Sequence, residues 1–331
     1  MKKNNKTTYK YSIKPKPQLF NMLIGLLLLS FIISFVPNKS TYNLYSNLTT
    51  VPIDDDNEAL EITDASAQLG KEKGKKNILF IGSDEGTVDT HGRSDSMILI
   101  TIDRDNKKIK ATSFMRDMLV TIPDFGEHNL NHAYAYGGAE LLVKTFNYNF
   151  GLDIKDYVKV DFKTFIKIID KLGGIDIDIQ SNEVQVTNTY IRSINKFNKS
   201  SSSELSGAGL QTLNGVQALA YSRNRFVGSD YGRTNRQRKV LQAITTKFSH
   251  IDYVEIVKFL VDVLPEVTTT LNIAEISDLT AWAVINRVNT LQGTYLPKLE
   301  ESQHIKTDEY HIVVNKEAFK KEVQNYIFYD R

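Results

Sequence analysis

The sequence predicts a layered α/β domain, on the strength of two patterns and their alternation. Three short β-branched and aromatic runs, beginning at Asn77-Ile-Leu-Phe-Ile-Gly82, have the length and composition of buried strands. Two later segments, Ala139 to Phe150 and Lys163 to Leu172, have helical length and partly helical apolar spacing, and Gly173-Gly174 closes the second before a strand-like Ile175 to Ile179. Alternating strand and helix patterns indicate a sheet covered by helices. A length of 331 residues accommodates one large domain together with further segments.

The N-terminus predicts where that domain resides. Leu19 to Val36 is an uncharged, mostly apolar run of about the length that crosses a bilayer core. Lys2, Lys3, Lys6, Lys10, Lys14 and Lys16 precede it, so the positive-inside rule keeps residues 1–18 as a cytoplasmic tail and sends the remainder outside. Pro37-Asn38-Lys39 follows the run in place of a small-residue cleavage site, which favours an uncleaved signal-anchor over residues 19–36. The expected location is therefore the cell membrane, single-pass, with an extracellular catalytic part. Residues 37–76 are polar, contain Asp54-Asp55-Asp56 and end in a lysine cluster, and read as an extracellular stalk or linker. The domain proper is expected over 77–331. A net charge of +2 gives no reason to expect a nucleic-acid partner, and the absence of cysteine excludes thiol catalysis, cysteine zinc sites and disulfides.

Taken in order, the first strand ends at Ser83-Asp84, and a Gly- and Thr-containing loop leads to Arg93-Ser94-Asp95. Ser96 to Ile102 forms the second strand, Asp103 to Asn106 a turn, and Ile109 to Met115 a third strand that runs into Arg116-Asp117. Paired as an antiparallel meander, the three strands bring Asp84, Arg93, Asp95, Arg116 and Asp117 to one edge. Two carboxylates there suit a hard divalent cation, and two guanidiniums suit phosphate oxygens.

Residues 181–206 are rich in Asn and Ser and read as an exposed excursion without a role. Beyond them, Tyr221-Ser222-Arg223-Asn224-Arg225 is followed by Asp230-Tyr231-Gly232-Arg233-Thr234-Asn235-Arg236-Gln237-Arg238, which places five arginines within sixteen residues. A helix from Thr234 to about Phe248 sets Arg233 and Gln237 one turn apart at a helix start, where the dipole favours anions. An anion cradle follows. Towards the C-terminus, an apolar helical segment spans Val254 to Leu264, Asn272-Ile-Ala-Glu275 has the form of a capping box, Asp308 to Val314 a strand and Lys316 to Phe328 a closing helix, with Trp282 in the core.

The motifs together resemble the LytR-CpsA-Psr (LCP) family of bacterial wall-polymer ligases. The resemblance covers roughly Lys76 to His250 and rests on Ile81-Gly-Ser-Asp84, Arg93-Ser-Asp-Ser96, Phe114-Met-Arg-Asp117, Asn131-His-Ala-Tyr134, the Tyr221 to Arg225 run and the Asp230 to Arg238 run, in order. It implies a three-layer α/β/α sandwich with a central mixed sheet. It also implies a pocket for a polyprenyl pyrophosphate, with magnesium, or alternatively manganese, on the phosphates. Asp84 and Asp95 then match the metal carboxylates. Arg93, Arg116, Arg223, Arg225, Arg233 and Gln237 match the pyrophosphate ligands. Arg116, Asp117 and Asp230 match catalytic positions, the two aspartates orienting arginines or assisting proton transfer. Met115 stands where many relatives have Pro, which removes no functional group, and the loop from Arg225 to Asp230 is short. The implied activity is a magnesium-dependent phosphotransferase that moves a glycopolymer, such as teichoic acid or a capsular polysaccharide, from a polyprenyl-pyrophosphate carrier to a peptidoglycan hydroxyl. A polyprenyl-pyrophosphate hydrolase, or a non-catalytic lipid-binding regulator, are the alternatives.

Overall fold

The strand runs of the sequence become the centre of a seven-stranded mixed sheet. The computed structural model describes residues 49–84, 92–227, 229–248, 262–272, 274–276, 278–279, 282, 286 and 291–329. The expected tail, the anchor at Leu19 to Val36 and most of the apolar segment from Val254 to Leu264 lie outside these residues. Among the described residues no helix is long and apolar enough to cross a membrane.

In chain order the sheet takes β1 (Thr49–Thr50), β2 (Lys75–Ser83), β3 (Ser94–Asp103) and β4 (Lys108–Phe114), and a small hairpin follows as β5 (Leu119–Ile122) and β6 (Gly126–Asn129). The main sheet then adds β7 (Asp156–Asp161), and a second hairpin is β8 (Ile175–Ile179) with β9 (Gly209–Leu213). The sheet is completed by β10 (Thr268–Thr269) and β11 (Leu291–Leu296), and a third hairpin is β12 (Gln303–Lys306) with β13 (Tyr310–Val313). The main-sheet order is β1-β10-β7-β2-β3-β4-β11. β2, β3 and β4 form the expected antiparallel meander, with Leu79 opposite Leu99 and Met97 opposite Phe114. β7 runs parallel to β2 and β11 parallel to β4. The carboxyl ends of β2, β4, β7 and β11 and the start of β3 therefore share one edge, the usual place for a ligand in an open α/β sheet.

The helices are α1 (Asp64–Glu72), α2 (Leu130–Phe150), α3 (Phe162–Lys171), α4 (Ser181–Asn198), α5 (Gly215–Arg223), α6 (Ser229–Phe248) and α7 (Lys316–Tyr329). Period-two alternation sends Leu79, Ile81, Met97 and Leu99 to one face, where they pack with Leu142, Phe146 and Phe150 of α2 and Val323 and Ile327 of α7. Phe114, Phe146 and Phe150 interlock through edge and stacked contacts at 4.9 to 5.3 Å. Ile78 and Ile102 face the other way, towards Leu271, Leu279 and Trp282. The predicted capping box is formed, as Glu275 N–H donates to Asn272 Oδ1 and Asn272 N–H to Glu275 Oε2, each at 3.0 Å. Lys110, fully buried, donates to the carbonyls of Tyr326 and Ile327 and places a cation at the C-terminal end of α7. A separate core forms around β8, β9 and helices α3 to α6.

Two expectations are corrected. Residues 49–76, read as the distal part of a linker, are folded: Leu60 is fully buried in the main core and Ile62 nearly so. Asn147 Nδ2 donates to the carbonyls of Leu60 and Ile154, and its Oδ1 accepts from Ile154 N–H at 2.8 Å, stapling this segment to α2. Residues 181–206 are mostly the helix α4, whose Thr187, Ile191 and Ile194 are buried against the second core. Polar composition concealed both, because each buries only a few side chains at helical or turn spacing.

Candidate functional site

The sheet edge gathers the predicted charges because each follows a strand end or a helix start. Asp84 leaves β2 and its N–H donates to the carbonyl of Arg93 at 3.0 Å, while Asp84 Oδ1 accepts from Arg93 N–H. This clasp closes the loop between the first two strands. Asp95, at the start of β3, accepts from Arg116 Nη1 at 2.7 Å and from Arg225 Nη2 at 3.3 Å. Arg116 turns its Nε to Asp117 Oδ1 at 3.1 Å, and Asp117 Oδ2 lies 4.0 Å from Arg233 Nη2. Gln237 Nε2 donates to the Asp95 carbonyl at 3.4 Å, one turn after Arg233 on α6. Met115 is buried and its Sδ meets Thr234 Oγ1, tying the end of β4 to the start of α6.

Arg223 is held by rings. Its guanidinium lies 4.8 Å from the Phe162 centroid and 5.9 Å from that of Tyr190. From there it contributes positive potential to both Asp84 and Asp95. Arg236 serves a different purpose. It is buried, with Nη1 donating to Glu183 Oε1 at 3.1 Å and Nη2 to the carbonyls of Asn224 and Val227, so it fastens the loop that follows Arg223 and carries Arg225 onto α6. Glu183 in turn accepts from Gln180 N–H at 3.0 Å and so caps α4. The side chain of Asp230, in the first turn of α6, lies outside the described residues.

The electrostatics are those of an anion site. Burial raises Asp95, but Arg116, Arg233, Arg225 and Arg223 outweigh it and hold the carboxyl below the usual range. Asp84 is raised, first by burial and then, against the Arg93 N–H, by repulsion from Asp95. Two carboxylates close enough to repel beside a basic cleft fit a divalent cation, since magnesium is commonly held by one or two carboxylates with substrate phosphates completing the shell. Among the described residues no group of three or more His, Cys, Asp or Glu side chains is placed to hold a metal, so such an ion would depend on the ligand's oxygens.

Arg93, Arg116 and Arg225 open onto a cleft of about 480 Å³ that Asn131, His132 and Glu309 also line. The sequence reading assigned no role to Phe162, Tyr190, Glu183, Arg236, His132 or Glu309. His132 was visible inside the Asn131 to Tyr134 motif; Glu183 and Glu309 are remote from every motif, and only the fold brings them in.

A family model described as the LytR_cpsA_psr family matches residues 40–325. The chain is 35% identical over 191 residues to the regulatory protein MsrR of Staphylococcus aureus (strain COL), covering 57% of this chain and 53% of that protein. It is 38% identical over 184 residues to the polyisoprenyl-teichoic acid–peptidoglycan teichoic acid transferase TagU of Oceanobacillus iheyensis, covering 53% of this chain and 52% of TagU. The chain thus spans about half the length of the curated relatives it matches. A solved structure of TagT bound to LIIa-WTA superposes with a TM-score of 0.57 at 26% identity, over 76% of this chain and 91% of that one. The LytR-CPS2A-psr family protein YwtF (TagT) with bound octaprenyl pyrophosphate lipid superposes with a TM-score of 0.54 at 25% identity, over 76% and 90%.

Proposed function

Because the chain belongs to the LytR-CpsA-Psr family, we propose that it transfers a glycopolymer from a polyprenyl-pyrophosphate carrier to a hydroxyl of peptidoglycan. The observation that carries this reading is the set of guanidiniums gathered at the sheet edge around Asp95 and Asp117, of which Arg93, Arg116 and Arg225 line the cleft and Arg223 and Arg233 add positive charge beside it. The excess of positive charge matches a diphosphate. That TagT holds octaprenyl pyrophosphate on the same fold supports it.

Arg116 and Arg225 are preorganised by Asp95, and Arg116 and Arg233 by Asp117. On substrate binding they present donors to the phosphate oxygens without reorganising, which is where electrostatic catalysis gains most. Asp84 and Asp95 are the residues that would hold magnesium. When bound, it neutralises charge developing on the pyrophosphate oxygens. Arg223, Arg225, Arg233 and Gln237 would orient the diphosphate so that the leaving polyprenyl phosphate departs against positive charge. The run from Leu19 to Val36 would anchor the chain in the cytoplasmic membrane with this site outside, beside a membrane-borne donor. Teichoic acid, named for TagU, is the polymer we favour as cargo.

The test is incubation of the full chain with a lipid-pyrophosphate oligosaccharide, peptidoglycan glycan strands and magnesium, with products read by mass spectrometry. A phosphodiester-linked conjugate is expected, and Arg116→Ala should lower its rate by about 10²- to 10³-fold. Free polymer phosphate without a conjugate would identify a hydrolase, and lipid binding without turnover a regulator; either would overturn the transferase.

A further inference from the structure

The attacking hydroxyl needs a base, and the carboxylates already described are poorly suited to be one. Asp117 is ion-paired to Arg116 and Arg233, and Asp95 to Arg116 and Arg225. The same cleft is lined by a different group. His132, only 7% exposed, sits on the first turn of α2 with Nε2 3.5 Å from Glu309 Oε2. Glu309 is itself positioned. Asn129 Nδ2 reaches its Oε2 at 3.4 Å and also donates to the Tyr310 carbonyl at 3.1 Å, while Ile312 N–H of β13 donates to the Asp117 carbonyl at 2.8 Å. Beside His132, Asn131 is 2% exposed, lines the same cleft, and its Oδ1 has no hydrogen-bond partner. A buried acceptor atom left unmatched at a cleft wall is costly unless a ligand donor meets it.

An aromatic platform adjoins this wall. Phe125, in the turn between β5 and β6, stacks on Tyr136 with centroids 4.9 Å apart, and both are largely exposed, at 49% and 41%. The Tyr136 hydroxyl lies 3.5 Å from Nδ1 of His132 and of His128. An exposed ring pair next to unmatched polar groups is a surface on which a sugar stacks and hydrogen-bonds.

We propose that the cleft wall formed by Asn131, His132 and Glu309, with the Phe125–Tyr136 platform, is the subsite for the acceptor saccharide, and that His132, positioned by Glu309, is the base for its hydroxyl. The proposal rests on the transferase reading and adds to it the acceptor's place. The carboxylate keeps the imidazole hydrogen on Nε2, so Nδ1, which the Tyr136 hydroxyl approaches only at 3.5 Å, is the atom that takes a proton once the acceptor hydroxyl displaces that long contact. The hydroxyl oxygen forms a bond to the polymer-side phosphorus, its proton passes to Nδ1, and the bond from that phosphorus to the bridging oxygen breaks with its electron pair leaving on polyprenyl phosphate. Asn131 Oδ1 accepts from a second sugar hydroxyl. Burial lowers the His132 pKa, Glu309 raises it, and Arg93, His128 and Arg116 lower it, so the net direction is down and the ring is neutral at neutral pH.

Steady-state transfer by the full chain, with acceptor and donor varied separately and donor binding measured alone, tests this. His132→Gln should cut kcat by about 10²-fold with donor affinity unchanged. Asn131→Ala should raise the acceptor KM roughly tenfold. Glu309→Gln, on a half-exposed side chain that does not endanger folding, should move the acid limb of the pH–rate profile to lower pH, because it removes the group that raises His132. If wild type transfers polymer while Glu309→Gln leaves the profile in place and the other two leave kcat and acceptor KM unchanged, the subsite is wrong. Loss of donor binding in His132→Gln with an unaltered Glu309→Gln profile would likewise overturn it. If wild type forms no conjugate, the transferase reading itself has failed.

Discussion

Asp95 is a carboxylate whose value depends on the guanidiniums around it. Burial alone would favour its neutral form, and Arg116, Arg233, Arg225 and Arg223 reverse that preference. Its folded pKa therefore lies below the unfolded one, so the stabilisation is fully present above the ordinary aspartate value, about 3.9, and is lost as pH falls through the folded value. Asp95→Asn leaves Arg116 and Arg225 without this carboxylate at a part-buried site. We expect a loss of about 3 kcal/mol at neutral pH by urea denaturation, shrinking as the wild type is taken below pH ~4. Arg236 is the complementary case, since it falls among the clustered arginines of the sequence and is a buried tie to Glu183 and two carbonyls. Arg236→Met should cost about 3 to 5 kcal/mol in the same measurement, because Glu183 is left charged and buried. Arg223 shows the opposite lesson. Its place among the clustered arginines was legible in the sequence, but the ring of Phe162 beside it was not.

At the scale of elements, the start of α6 decides the shape of the site. Gly232 packs so close to the chain before the helix that a Cβ there would lie 2.4 Å from the Val227 carbonyl oxygen. The clashing atom is backbone, so no flexible side chain there can yield. Gly232→Ala should therefore shift the helix start, destabilise by about 1 to 3 kcal/mol and weaken donor binding through Arg233 and Gln237. Calorimetry against donor titration separates the two effects. The meander from β2 to β4 and the capping box at Asn272 were readable because each depends on neighbours in sequence, such as turn residues, alternation and a three-residue cap. The helix α4 was missed for a physical reason. Its exposed residues are mostly polar, and the few buried side chains, Glu183, Thr187, Ile191 and Ile194, make too narrow an apolar stripe to outweigh that composition.

For the whole molecule, the limits of the domain matter most. Leu60 and Ile62 belong to the main core, and β1 pairs with β10, so the folded unit includes residues that composition assigns to a linker. A chain beginning at Thr49 should unfold in one cooperative step on heating. One beginning at Asn77 lacks both core side chains and the first residues of β2, and each such core deletion costs about 2 to 5 kcal/mol, so it should lose that step. Retention of a cooperative transition by the shorter chain would show the segment to be dispensable. By itself, the sequence determined the α/β class, the order of the central strands, the family and the charged residues that meet at one edge. Strand alternation, turns and motif order are local, and local rules suffice for them. Only the tertiary structure decided which arginine is a tie and which faces the cleft, that residues 49–76 are folded, and that His132 and Glu309 line the same cleft as the arginines. Those facts depend on contacts between residues far apart in sequence, such as Arg236 with Glu183 and His132 with Glu309, whose pairing is fixed by how helices pack on a sheet and leaves no periodic trace in the chain.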